Sequence, residues 1–151
     1  MPILIVGRES PPKERERRTV MMNKDNVLSV LEQSEEKEER FLAAWKRGVD
    51  FLGENLFGPG KTKTARRKDD LRPLRNAVEE AFGNESCGEE QFLAAMVSFY
   101  DPTWGAELAE RIECDKSICG LTYNLDHERI GILCDLLRNY QGWDSDEPEV
   151  F

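Results

Sequence analysis

The stretch "EERFLAAWKRGVDFLGENLFGPG", residues 38–60, carries apolar side chains at Phe41, Trp45, Val49, Leu52 and Leu56. Steps of four, four, three and four residues lay one stripe along an α-helix, and Leu42 broadens it. Gly58-Pro59-Gly60 is expected to end that helix.

Working outward, the same 3.6-residue period recurs. From Asp25 the pattern is helical, with Val27, Leu28 and Leu31 as a short apolar face and Ser34 placed to cap the longer run. Asp69 or Asp70 is expected to cap the next helix, with Pro73 in its first turn, Leu74, Val78, Ala81 and Phe82 on its face, and Gly83-Asn84 as its stop. Ser86 and Glu89 fit a capping box opening a helix through Tyr100. Asp101-Pro102-Thr103 reads as a break and a new cap, followed by Trp104, Leu108 and Ile112. A last helix from Asp126 carries Ile130, Leu133, Cys134, Leu137 and Tyr140.

No segment after residue 23 alternates as a strand does. The expected fold is therefore all-α, a single bundle-like domain of five or six helices with an extended N-terminal arm. Residues 1–23, charged and containing Pro11-Pro12, form the flexible arm, 24–143 the helical domain with a basic loop at 58–68, and 144–151 an acidic tail. "EERFLAAW" (38–45) and "EEQFLAAM" (89–96) match at six of eight positions. A duplicated helical unit or a shared amphipathic composition explains the echo, and composition is the better account because no third copy follows.

Apolar residues make up 39% and charged residues 34% of 151, with a formal charge of −9. "MPILIVG" is too short for a membrane span and lacks the basic start of a signal peptide. A cytoplasmic protein with reduced cysteines and no membrane partner is the expectation.

Against that acidity, residues 61–75 hold seven basic residues and only Asp69 and Asp70 as acids. Gly60-Lys61-Thr62 resembles the end of a nucleotide-binding P-loop, but Asn55 stands where the first glycine belongs and no strand is expected before it. What remains is a basic loop. Lys61, Lys63, Arg66, Arg67, Lys68 and Arg72 are the candidate contacts to phosphates or another polyanion. The bland alternative is a solvated linker, since no aromatic lies between residues 58 and 81 to stack on bases. Residues 76–113 carry nine acids and one base, so Glu79, Glu80, Glu89, Glu90, Glu107 and Glu110 form a candidate acidic surface for a basic partner protein.

Cys114, Cys119, His127 and Cys134 are weak candidates for a zinc site, because their spacing misses the Cys-x2-Cys pattern and Cys134 falls on an apolar stripe. A single histidine and the lack of a nucleophile-elbow motif give no nucleophilic centre. No cofactor is implied. The tail "WDSDEPEVF", residues 143–151, is similar to the acidic tails of single-stranded-DNA-binding proteins, with Glu149-Val150-Phe151 replacing their usual Pro-Phe ending. That resemblance implies docking of Phe151 and its carboxylate onto a basic pocket of a partner, while Trp143 is expected to pack back on the helices.

These features point to a non-catalytic helical accessory or adaptor protein whose basic loop contacts nucleic-acid backbone or a nucleoprotein complex. The alternative is an acidic inhibitor, of the immunity or anti-defence type, that occupies a basic site on another protein.

Overall fold

Gly53, with φ +109°, ends the first helix earlier than the apolar stripe implies. A side chain there would be strained, so glycine stops the helix where Leu56 would have continued the spacing. In the computed structural model, which describes residues 13–83, 86–113 and 118–143 (side chains for 24–83, 86–113 and 119–143), the elements fall in chain order as follows. Helix α1 spans Lys13–Leu52, strand β1 Phe57–Pro59 and strand β2 Leu71–Pro73. Helices α2 Arg75–Ala81, α3 Cys87–Tyr100, α4 Pro102–Arg111, α5 Ile118–Thr122 and α6 His127–Asn139 follow. The fold is all-α, with six α-helices and two three-residue strands among the described residues.

The chain divides into two units, Met1–Glu36 and Lys37–Phe151. In the first, α1 begins at Lys13, so the helix starts within the segment read as an arm. The apolar face at Val27, Leu28 and Leu31 is exposed.

The second unit holds the core. Helix α3 is its axis: Gln91 to Val97 and Phe99 are all buried. The two similar octets therefore differ in setting, since α1 buries Phe41, Ala44 and Trp45 but exposes Ala43, whereas α3 buries Phe92 through Met96 without a break. Helix α4 returns along α3 at very close range. A Cβ on Gly105 would lie 2.6 Å from the Cα of Ser98, so only glycine lets the two backbones meet. Two caps lie where the sequence places them. Ser86 Oγ accepts from Glu89 N–H at 3.3 Å, and Asp101 Oδ1 accepts from Trp104 N–H at 3.0 Å.

Three expectations need correction. Residues 57–59 and 71–73 pair as an antiparallel hairpin rather than flanking a free loop, with Gly58 opposite Arg72. Helix α2 starts at Arg75 with Leu74 at its N-cap, because Asp69 and Asp70 belong to a preceding 3₁₀ turn and Pro73 ends β2. Helix α6 buries Ile132, Leu133 and Leu136, while Cys134 and Leu137 are exposed. "RIGILCDLL" is apolar on nearly every side, so periodicity alone does not select the inward face.

Candidate polyanion-binding loop

The hairpin β1–β2 encloses residues 60–70, the segment with the basic run, and several bonds hold it from below. Trp45, wholly buried, donates its indole N–H to the carbonyl of Leu71 at 2.7 Å, fixing β2 to α1. Leu74 N–H donates to Leu56 carbonyl at 2.8 Å and Gly60 N–H to Asp70 carbonyl at 2.7 Å. A Cβ on Gly60 would stand 3.0 Å from that carbonyl oxygen, so the close approach favours glycine.

Within the loop, Ala65 N–H returns to Lys61 carbonyl at 2.8 Å, forming one tight turn with Thr62 and Ala65 facing inward and buried. Thr62 is bonded to Glu54, whose Oε1 accepts from its backbone N–H at 3.2 Å and its hydroxyl at 2.5 Å. The Thr62 hydroxyl and backbone N–H hold the Glu54 carboxyl below its ordinary value, opposed by partial burial and assisted by Lys61 and Lys63. Asp70 Oδ2 accepts from the backbone N–H groups of Arg66 and Arg67, at 3.1 Å each. Glu54 and Asp70 thus serve the backbone of this segment.

The six candidate cations divide accordingly. Lys61, Lys63 and Arg66 are exposed and make no ion pair with a described residue. Arg67 is exposed and stands 3.6 Å from Asp69, a loose surface pair worth little. Arg72 is partly buried and engaged within the molecule. Lys68, expected among the phosphate contacts, is committed internally. Its Nζ donates to Gly142 carbonyl at 2.5 Å and lies 5.3 Å from the Trp143 ring and 5.7 Å from the Phe41 ring. Trp143 packs back on the helices, 4.9 Å from Trp45 by ring centroids.

Gly60-Lys61-Thr62 therefore sits in a hairpin with Thr62 turned inward, and no helix starts at Lys61. A P-loop needs that helix to aim N–H groups at phosphates.

The acidic candidates lie on α2, α3 and α4. Glu79 accepts from Trp104 indole N–H at 3.0 Å and is paired with Arg111. The Arg111 guanidinium holds its carboxyl below the ordinary glutamate value, against partial burial and with help from Trp104. Glu89 is 4.0 Å from Arg129, and Glu90 accepts from Gly83 N–H at 3.0 Å. Glu80 and Glu110 are exposed but engaged within the molecule, and Glu107 is exposed.

Of the zinc candidates, Cys119, His127 and Cys134 are exposed, and Cys114 lies outside the described residues. Among the described residues no three of His, Cys, Asp and Glu converge. The tail, residues 144–151, likewise lies outside them. No described helix is long and apolar enough to cross a membrane.

An apolar cleft of about 370 Å³ opens between α3, α4, α5 and α6, lined by residues such as Phe99, Pro102, Leu121, Leu133 and Tyr140. Its Ser98 and Tyr140 hydroxyls are spent on the carbonyls of Ala95 and Phe99. No charged side chain among the described residues lines it, so these residues add nothing to the recognition of an anion.

No protein-family model, curated protein or solved structure matches this chain.

Proposed function

We propose that this chain is a non-catalytic accessory protein that contacts nucleic-acid backbone, free or within a nucleoprotein complex, through Lys61, Lys63 and Arg66, with Arg67 beside them. The observation that supports this reading is the contrast between a braced hairpin and the exposed cations on its outer side. Glu54, Trp45 and Asp70 hold the backbone, while three positive side chains face solvent with no described acid paired to them. A preformed loop loses little conformational freedom on binding, so charge neutralisation of phosphates is less offset by ordering. With no aromatic interleaved among these residues, the contact is to phosphate and carries no base readout.

The acidic-inhibitor reading draws less support, because Glu79, Glu89 and Glu90 already serve Arg111, Arg129 and the Gly83 amide.

The test is titration of a short DNA duplex with the full chain at several salt concentrations. Binding should weaken steeply as salt rises. The triple variant Lys61→Ala, Lys63→Ala, Arg66→Ala should lower the slope of log K against log salt by about 3, near 0.9 for each phosphate no longer neutralised. Equal binding by this variant and the parent chain at low salt would refute the proposal.

A further inference from the structure

Within the first unit, α1 carries four large apolar side chains that no described residue covers. Val27 is 53% exposed, Leu28 59%, Val30 61% and Leu31 54%. They share less than half of the helix circumference, since positions 27, 28, 30 and 31 fall within about 160° at 100° per residue. Isolated apolar residues on a surface are ordinary, but four on adjoining turns form a face that water disfavours.

Charge along the same helix says what covers it. Before the apolar patch the sequence has Lys13, Arg15, Arg17 and Arg18 against Glu14 and Glu16. After it come Glu32, Glu35 and Glu36 with no base among residues 32–36. The segment is thus net positive at one end, negative at the other, and between them apolar on both sides of Lys24 and Asp25. A second copy laid antiparallel sets the acidic end of one helix beside the basic end of the other, whereas a parallel copy would set like charge beside like charge. With the two-fold axis between Asp25 and Asn26, residues 32–36 of one copy run beside 15–19 of the other. Val30 and Leu31 then meet the sequence positions of Met21 and Val20, and Val27 and Leu28 those of Lys24 and Asn23, so the apolar match is made at the two ends of the patch.

We infer that two copies of this chain associate through residues 15–36 of α1 as an antiparallel helix pair. The interface is isologous, as two-fold dimers require. The inference stands apart from the polyanion reading, since it uses neither the hairpin nor its cations.

Sedimentation equilibrium of the full chain over about a hundredfold concentration range tests it. The parent chain should approach a dimer at the upper end, and Leu28→Glu with Leu31→Glu should sediment as a monomer. Reversing Arg15, Arg17 and Arg18 to Glu should weaken association at least about tenfold at low salt, with less effect at high salt. Adding Glu32→Arg, Glu35→Arg and Glu36→Arg to that same chain should restore it. A chain that stays monomeric throughout overturns the inference, including one that instead binds phosphatidylserine vesicles through this face. A dimer that survives both sets of substitutions overturns it as well. A dimer abolished by the Leu28 and Leu31 changes but blind to the charge exchange overturns the antiparallel arrangement.

Discussion

Trp143 donates its indole N–H to Oδ1 of Asp69 at 2.9 Å, across 74 residues of sequence. The neighbouring Lys68 reaches Gly142 carbonyl and lies over the Trp143 ring, so two consecutive residues of the 3₁₀ turn grip the chain after α6. The hairpin is held from two sides, by Trp45 below and by residues 142–143 beside it.

Asp69→Ala should destabilise the fold by about 1 kcal/mol, the usual net worth of one partly exposed hydrogen bond. Trp143→Ala should cost more, about 2–4 kcal/mol, because it also empties a cluster with Phe41, Trp45 and Tyr100. Urea unfolding of both singles and the double isolates the pair. The double should fall short of the sum by the energy of the shared bond.

Trp45→Phe keeps most of the ring but removes the indole donor to Leu71 carbonyl. The orphaned carbonyl and lost volume should lower stability by about 1–3 kcal/mol. Amide exchange of β2 should accelerate beyond that of α3 if the bond serves the hairpin specifically.

Gly105→Ala should be severely destabilising, about 1–3 kcal/mol or more, since the new methyl meets backbone and Cβ of Ser98 at 2.6 Å. Gly131→Ala is the control. A Cβ there meets nothing within 4 Å, and alanine favours the helix by up to about 1 kcal/mol. Thermal melts that order these variants the other way would contradict the α3–α4 packing.

Glu54 and Glu79 both titrate below the ordinary glutamate value of 4.5 in the folded chain. A depressed carboxylate contributes stability that is full above its unfolded value and lost as pH falls through its folded one. The melting temperature should therefore drop as acid is added below pH 4.5, and less steeply in Glu54→Gln and Glu79→Gln. In Glu54→Gln the hairpin amides of residues 62–65 should also exchange faster, whereas Glu79→Gln should leave them unchanged.

The helices were legible because their signals are local. The caps at Ser86 and Asp101, the Phe41-Trp45-Val49 stripe and the breaks after Phe82 and Tyr100 need only three or four neighbouring residues. Misreadings arose where tertiary structure decides. Leu56 keeps helical spacing with Leu52 yet is buried from a 3₁₀ turn, because Gly53 has redirected the backbone. Strands of three residues are too short to show alternation. In the candidate site, the basic run itself was plain, but its division was not. Lys68 differs from Lys61 and Lys63 only because Gly142 and Trp143 lie beside it in space, and no spacing rule announces a partner 74 residues away.

The tryptophans give the hairpin a built-in optical reporter. Trp45 and Trp143 stand next to one another at its base, while Trp104 sits apart beside Glu79 and Arg75. Any ligand that shifts the strand or the 3₁₀ turn alters the surroundings of the first two rings and leaves the third as an internal reference. Replacing Trp104 with phenylalanine would then leave an ultraviolet emission that reads the loop alone, with no dye attached.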